Sequence, residues 1–231
     1  MNVVVSGTSR GIGLAIAQEF LDKGHVVYGY DVLPTSIEHP RYRHVIHDVR
    51  AESFAADAPA LDGTGSGVPD SVAPDLDVLI CNAGTLEEAD AIDVNLLGTM
   101  RFAEHFVDSP SLRSILFVAS ASARNGAEFP RYVASKAGIV GYMKNLALAV
   151  AKRGITCNSV SPGGVLTSSN QHILDDPGMY EAVLDETLLG KWAEPQEVAE
   201  LVYFLTVTNR SITGEDILMD NGEMLKSNFI W

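Results

Sequence analysis

The chain has 231 residues, of which 16 are basic and 30 acidic, and its formal net charge is −14. A charge of this sign repels nucleic acids and anionic lipid surfaces, so we expect neither nucleic acid nor membrane as a partner. No apolar run approaches the roughly 20 residues of a membrane span, and no basic leader precedes the first apolar run, which favours a cytoplasmic location. The length suits a single α/β domain over residues 1–231.

Short β-branched runs alternate with longer helical patterns along the chain. Strands are expected at 3–5, 25–30, 42–46, 76–81, 114–118, 155–160 and 216–219. Helices are expected at 11–23, 91–107, 130–152 and 195–207. This alternation predicts an α/β fold with a doubly wound parallel sheet of about seven strands and helices on both faces. Ligands of such sheets bind at the carboxyl ends of the strands.

Two segments, residues 51–74 and 85–93, interrupt the alternation. Residues 51–74 are rich in Ala, Gly, Pro and Asp, and we expect an irregular, loop-rich segment there. Residues 166–189 follow the sixth strand and should form a lid over the substrate. The lid has no lysine or arginine to anchor a phosphate or carboxylate. No metal is expected, because Cys81 and Cys157 lack the spacing of metal ligands.

A glycine-rich turn joins the first strand to the first helix. Glycines let the backbone approach a pyrophosphate closely, and the helix N-terminus offers free N–H groups. A tight connection without a ligand is the alternative, but a position after the first strand of an alternating pattern favours a nucleotide. The expected cofactor contacts are Gly7, Ser9, Arg10, Gly11, Ile12 and Gly13.

Asp31 ends the second predicted strand. A carboxylate there can accept hydrogen bonds from the adenosine ribose and would repel a 2′-phosphate, which favours NAD(H) over NADP(H). Arg10 argues the other way, because a basic residue in the glycine turn could pair with that phosphate. A turn-capping role for Asp31 before Pro34 is the remaining alternative.

Further cofactor contacts are expected after the third and fourth strands. Asp48 and Val49 could frame the adenine through the Asp side chain and neighbouring backbone. The sequence Asn82-Ala83-Gly84 indicates a close approach of the backbone to the cofactor.

Tyr132 and Lys136 lie four residues apart in a predicted helix and therefore share a face. A cation one turn away favours the phenolate, which moves the phenol pKa from about 10 toward the working range of an acid–base catalyst. Taken alone, the pair is more typical of an ordinary solvated helix surface than of a catalytic site.

These motifs together resemble those of the short-chain dehydrogenase/reductase family, over essentially the whole chain. The matching residues are Gly7-x-x-x-Gly11-x-Gly13, Asn82-Ala83-Gly84, Asn95, Ser120, Tyr132-x-x-x-Lys136 and Ser161-Pro162-Gly163-Gly164. The resemblance implies a Rossmann-like fold and an NAD(P)-dependent oxidoreductase. It also implies further cofactor contacts from Pro162, Gly163, Val165 and Thr167.

The resemblance also implies the roles of four catalytic residues. Tyr132 would pass a proton to or from the substrate oxygen, and Lys136 would lower the phenol pKa and hold the nicotinamide ribose, so both also contact the cofactor. Ser120 would hydrogen-bond the substrate oxygen, with Ser122 as the alternative. Asn95 would hold a water that links Lys136 to solvent.

The chain departs from the family pattern in two places. Ser120 lies 12 residues before Tyr132, one fewer than is usual. Only ten residues separate Gly84 from Asn95, where about twice as many are usual. We therefore expect a shortened helix and a more open substrate pocket. A homo-oligomer is still expected, either a dimer or a tetramer.

The leading hypothesis is an oxidoreductase that transfers a hydride between NAD(H) and a secondary alcohol or ketone, with Tyr132 as general acid and base. One alternative is a 3-oxoacyl-thioester (acyl carrier protein) reductase that uses NADPH. An alternative of another class is a non-catalytic dinucleotide-binding redox sensor or scaffold. The small-molecule substrate is not determined by the sequence.

Overall fold

A computed structural model describes residues 1–52, 75–127 and 129–225 of the chain. The predicted irregular segment 51–74 lies outside the described residues, except for its first two. Within the described residues, no helix is long and apolar enough to cross a membrane.

All seven predicted strands are present, and their bounds agree with the predicted ones within two residues. They are β1 (Asn2–Ser6), β2 (Val26–Asp31), β3 (Tyr42–Ile46), β4 (Val78–Cys81), β5 (Ser114–Val118), β6 (Thr156–Pro162) and β7 (Asp216–Met219). They form one sheet in the order β3-β2-β1-β4-β5-β6-β7, in which every neighbouring pair is parallel. The predicted doubly wound fold class is confirmed.

Helices cover both faces of this sheet. They are α1 (Gly11–Asp22), α2 (Thr99–Phe106), α3 (Ser122–Asn125), α4 (Pro130–Val150), α5 (Gln171–Leu174), α6 (Pro177–Asp185) and α7 (Pro195–Tyr203). Successive strand residues point to opposite faces, so each strand contributes to two apolar layers. Leu79 and Phe117 belong to the layer that contains α2 and α4 residues. Ile80 and Leu116 belong to the layer that contains α1 and α7 residues.

Two of the predicted helices contain π-helical turns that the sequence pattern did not indicate. The helix predicted at 91–107 begins as a π-helix over Ile92–Gly98 before α2, and the helix predicted at 195–207 ends as one over Phe204–Thr208. An apolar period near 3.6 residues does not distinguish a π turn from an α turn, and π turns are frequent at functional sites. The first π-helix carries Asn95.

The lid predicted at 166–189 is largely helical, because α5 and α6 lie within it. Asp176 begins α6 by accepting hydrogen bonds from the backbone N–H groups of Gly178 and Met179, at 3.0 and 3.1 Å. Pro177 follows at the first helical position, where its fixed φ suits a helix.

The short helix α3 was not predicted from the sequence, because four residues are too few to show a helical period.

The strand order reverses between β1 and β4, since the chain builds β2 and β3 on one side of β1 and the remaining strands on the other. Helices on either side of such a reversal diverge and leave a crevice at the carboxyl ends of the strands. The fold therefore places one binding crevice beside the glycine turn, which follows β1, and beside Asn82, which follows β4.

We expect Phe20→Ala to lower the free energy of unfolding by about 3–5 kcal/mol, because a large cavity would remain between α1 and α7. Phe20 is fully buried, and its ring centroid lies 5.1 Å from that of Tyr203. The control is Gln18→Ala on the exposed face of the same helix, which should stay within about 0.5 kcal/mol of the parent. Urea unfolding followed by circular dichroism measures both, and equal midpoints for the two variants would contradict this packing.

Candidate active site

A cavity of about 880 Å³ opens at the carboxyl ends of the strands. The predicted residues that line it are Gly7, Arg10, Ile12, Gly13, Asp31, Asp48, Val49, Asn82, Ala83, Gly84, Ser120, Tyr132, Lys136, Pro162, Gly163, Val165 and Thr167. Ser9, Gly11 and Asn95 do not line it, but they contact residues that do. Residues predicted from separate motifs thus meet at one place.

The glycine turn is held against the end of β4. The Asn82 side-chain amide donates to the carbonyl oxygens of Ser6 and Gly7, at 3.1 and 3.0 Å. A Cβ atom on Gly13 would overlap the Gly7 carbonyl oxygen, so α1 can begin this close to the turn only with glycine at that position. Gly7 has a φ of +75°, which also favours glycine.

The N-terminus of α1 faces the cavity without a side-chain cap. Arg10 occupies the cap position in an extended conformation, and its side chain does not bond the first turn of the helix. The N–H groups of that turn therefore have no partner within the helix, and the helix dipole adds partial positive charge. Such an end suits an anionic group such as a pyrophosphate. Gly11, with a φ of +56°, lies beside Thr167: a Cβ on Gly11 would be 3.5 Å from the Thr167 methyl carbon.

Asp31 closes the outer side of the glycine turn. Its carboxylate accepts hydrogen bonds from the backbone N–H groups of Ser9 and Leu33, each at 2.9 Å. The Ser9 hydroxyl donates to the Leu33 carbonyl oxygen at 3.0 Å, which ties the two loops together. The carboxylate thus has a fixed position at the cavity wall.

The expected adenine end contains an arginine that the sequence motifs did not predict. The Arg50 guanidinium donates to both carboxylate oxygens of Asp48, at 2.7 to 3.1 Å, and holds the pKa of that carboxyl below its ordinary value. Arg50 also lies 3.6 Å from Asp90. Burial lowers the pKa of His47 and raises that of Tyr30 to about 12, so both line this end as neutral groups near neutral pH.

Tyr132 and Lys136 lie on the first turns of α4, as the spacing predicted. Lys136 is almost completely buried, and its Nζ lies 5.7 Å from the centre of the Tyr132 ring. The same Nζ donates to the Val118 carbonyl oxygen at the end of β5, at 3.1 Å. The ammonium is therefore held between the strand end and the phenol.

Two serines stand at the end of β5. The Oγ atoms of Ser120 and Ser122 are 2.7 Å apart and share a hydrogen bond, and both residues line the cavity. The Ser122 backbone N–H also donates to Ser120 Oγ, at 3.2 Å. Ser120 is the predicted residue, and Ser122, the alternative, is its hydrogen-bond partner.

Asn95 is fully buried behind the cavity wall. Its Oδ1 accepts from the Thr85 N–H at 2.7 Å, and its Nδ2 donates to the Thr85 carbonyl oxygen at 3.0 Å and to Ser135 Oγ at 3.1 Å. Both amide hydrogens are thereby engaged. The predicted water would have to bind through the remaining acceptor capacity of Asn95, and the side chain itself joins the segment after β4 to α4.

Several residues that line the opposite side of the cavity were not among the predicted site residues. Trp192 lies over Gly164, where a Cβ would overlap its indole ring, and its ring meets that of Tyr180 edge to face at 6.2 Å. Other such residues come from the lid and from the turn after β7; they include Ile173, Val183, Glu186 and Glu223. Among the described residues, no group of His, Cys, Asp and Glu is arranged to hold a metal ion.

Known proteins can be aligned with nearly the whole chain. The sequence profile described as enoyl-(acyl carrier protein) reductase matches residues 7–223. An L-rhamnose 1-dehydrogenase (NAD(P)(+)) of Azotobacter vinelandii is 30% identical, over 95% of this chain and 95% of the relative. A 3-oxoacyl-[acyl-carrier-protein] reductase of Vibrio harveyi is 29% identical, over 95% of each. The ligand-free aldohexose dehydrogenase structure of Thermoplasma acidophilum has a TM-score of 0.81 and 25% identity, covering 100% of this chain and 96% of that one.

We expect Asn95→Ala to lower the free energy of unfolding by about 2–4 kcal/mol, because it leaves the Thr85 N–H and carbonyl groups without their partner. Asn125→Ala is the control, since the Asn125 side chain is exposed and, within the described part of the chain, accepts only from the Ala127 N–H, at 2.8 Å. Chemical unfolding of both variants measures the difference. An Asn95→Ala midpoint equal to that of Asn125→Ala would contradict a supporting role for this amide.

Proposed function

The chain belongs to the short-chain dehydrogenase/reductase family of NAD(P)-dependent oxidoreductases, and we propose that it interconverts a secondary alcohol of a sugar or polyol and the corresponding ketone with NAD(H). One observation carries the proposal: Tyr132, Lys136 and Ser120 line the same cavity as the glycine turn and Asp31. Sugar dehydrogenases among the relatives support the substrate class.

The described residues fit a dinucleotide. The positions of Gly7 and Gly13 leave no room for a Cβ, and the uncapped first turn of α1 offers N–H groups to a pyrophosphate. Asp31 would accept from the hydroxyls of the adenosine ribose, and Thr167 would contact the nicotinamide end. Lys136 would hold the nicotinamide ribose.

Proton transfer is assigned to Tyr132. The nicotinamide, when bound, supplies the hydride acceptor or donor. In the oxidative direction the Tyr132 phenolate takes the proton of the alcohol O–H as the C–H bond breaks, and in the reductive direction the phenol returns it. The buried Lys136 ammonium favours the phenolate. Ser120, with Ser122 as its hydrogen-bond partner, stabilises charge on the substrate oxygen.

Asn95 acts by supporting this arrangement. A Cβ on Gly84 would lie 3.2 Å from Asn95 Oδ1 and 3.4 Å from Lys136 Nζ. Gly84 therefore lies between these two side chains and in close contact with both. The amide fixes the backbone that passes beside the lysine, and any water between them would use an Asn95 acceptor. Residues 166–189 would close over the substrate as the lid.

The second candidate is a 3-oxoacyl-thioester reductase that uses NADPH. Two observations favour it: the Vibrio harveyi reductase is 29% identical, and Arg10 lines the cavity near the glycine turn, where it could pair with a 2′-phosphate. Against it stand the fixed Asp31 carboxylate and a lid without basic residues.

We expect NADH to bind at least about tenfold more tightly than NADPH, because the Asp31 carboxylate accepts from ribose hydroxyls and repels a phosphate. Asp31→Asn should reduce this preference to near unity, while Asp22→Asn, an exposed change on α1, should preserve it. Titration of nucleotide fluorescence measures each dissociation constant. Tighter binding of NADPH by the parent protein would favour the second candidate.

A screen should find turnover with an aldose or polyol and NAD⁺ and little with acetoacetyl-CoA and NADPH. On the substrate found, Tyr132→Phe should lower kcat by about 10²- to 10⁴-fold, because it removes the acid–base group. Tyr142→Phe is the matched control. Tyr142 lies on the same helix, and burial raises the pKa of its phenol above the ordinary value. Absorbance of the reduced nicotinamide follows turnover, and a Tyr132→Phe enzyme within a few-fold of the parent would rule out the assigned role.

A further inference from the structure

The short turn before Asn95 is bonded to the first turn of the helix that carries Tyr132. Glu88 Oε1 accepts from the Arg131 backbone N–H at 2.9 Å, and the Arg131 side chain donates to the Ala89 carbonyl oxygen at 3.4 Å. Glu88 thereby caps α4 one residue before Tyr132. The cap residue of the helix itself, Phe129, has no side chain that could do so.

The position of the second Glu88 oxygen is unusual for a surface turn. Glu88 Oε2 is shielded from solvent and has no hydrogen-bond donor among the residues that the structure describes. A carboxylate that only capped the helix would gain from exposing this oxygen to water. The carboxyl group is held against the N-terminal end of α4, where the helix dipole is positive.

We propose that Glu88 is a positioning residue for Tyr132, which fixes the first turn of α4 and sets the pH at which the phenol ionises. The proposal rests on the proposed acid–base role of Tyr132. It also gives a function to the ten-residue segment between Gly84 and Asn95, because this turn supplies both Glu88 and the Thr85 backbone that Asn95 binds.

The charges around Tyr132 determine the sign of the effect. Lys136 and Arg131 on α4, together with the helix N-terminus, favour the phenolate. Glu88 opposes them, as do the cavity-lining carboxylates of Glu87, Glu186 and Glu223. Neutralising Glu88 should therefore lower the pKa of the phenol, by about half a pH unit for a charge at a helix end.

The test uses protein labelled with ¹³Cζ-tyrosine and saturated with NAD⁺, so it needs no substrate. The resonance that Tyr132→Phe removes reports the phenol, and its titration midpoint is compared in parent, Glu88→Gln, Glu88→Ala and Glu200→Gln proteins. Glu88→Gln keeps an oxygen acceptor for the Arg131 N–H and should lower the midpoint by about half a pH unit. Glu200→Gln removes an exposed charge from α7, on the other face of the sheet, and should leave the midpoint unchanged.

Kinetics on the substrate identified above complete the test. In Glu88→Gln, the rising limb of the pH–rate profile for alcohol oxidation should move to lower pH, and kcat should be nearly retained. In Glu88→Ala, which also loses the cap, kcat should fall by up to about tenfold. An unmoved midpoint in both folded variants overturns the Glu88 proposal and leaves the proposed function intact. If Tyr132→Phe retains turnover, the proposed function itself fails.

Discussion

The contact between the ends of β1 and β4 is the constraint on which the rest of the site depends. Four hydrogen bonds join the two strand ends. The Asn82 side-chain amide donates to the carbonyl oxygens of Ser6 and Gly7, and the Ser6 hydroxyl accepts from the backbone N–H groups of Asn82 and Ala83. Because the strand order reverses there, the same contact shapes the floor of the cavity. It brings the uncapped end of α1 close to the end of β4 and excludes side chains at Gly7 and Gly13.

A second set of contacts links the floor of the cavity to α4, the helix that contains Tyr132 and Lys136. Asn95 joins Thr85 to Ser135, and Ser135 Oγ donates to the Tyr132 carbonyl oxygen at 2.7 Å. Lys136 reaches the Val118 carbonyl oxygen at the end of β5, beside Ser120. The phenol and the ammonium, both on α4, and the serine at the end of β5 are thus fixed to one another by hydrogen bonds through buried groups. Such preorganisation is what acid–base and electrostatic catalysis require.

The sequence predicted the strands and the Tyr132–Lys136 pair well, because both depend on short periods along the chain. It predicted less where the outcome depends on contacts between distant segments. The pairing of Arg50 with Asp48 and the cap that Glu88 provides to α4 depend on loop geometry, and the bonds of Asn95 to Thr85 and Ser135 join segments that are distant in the sequence. None of these leaves a periodic signal. The sequence did indicate the shortened segment before Asn95, and the structure shows that its turn packs on α4 through Glu88 and Ala89.

We propose that one cavity orients a dinucleotide along the carboxyl ends of the strands, from Asp31 to Tyr132. A crystal structure of the protein with NADH tests this claim most directly. We predict the adenosine ribose at the Asp31 carboxylate, the pyrophosphate at the first turn of α1, and the nicotinamide ribose at Tyr132 and Lys136. Electron density that shows NADH in the reverse orientation, or bound away from the glycine turn, would contradict this proposal.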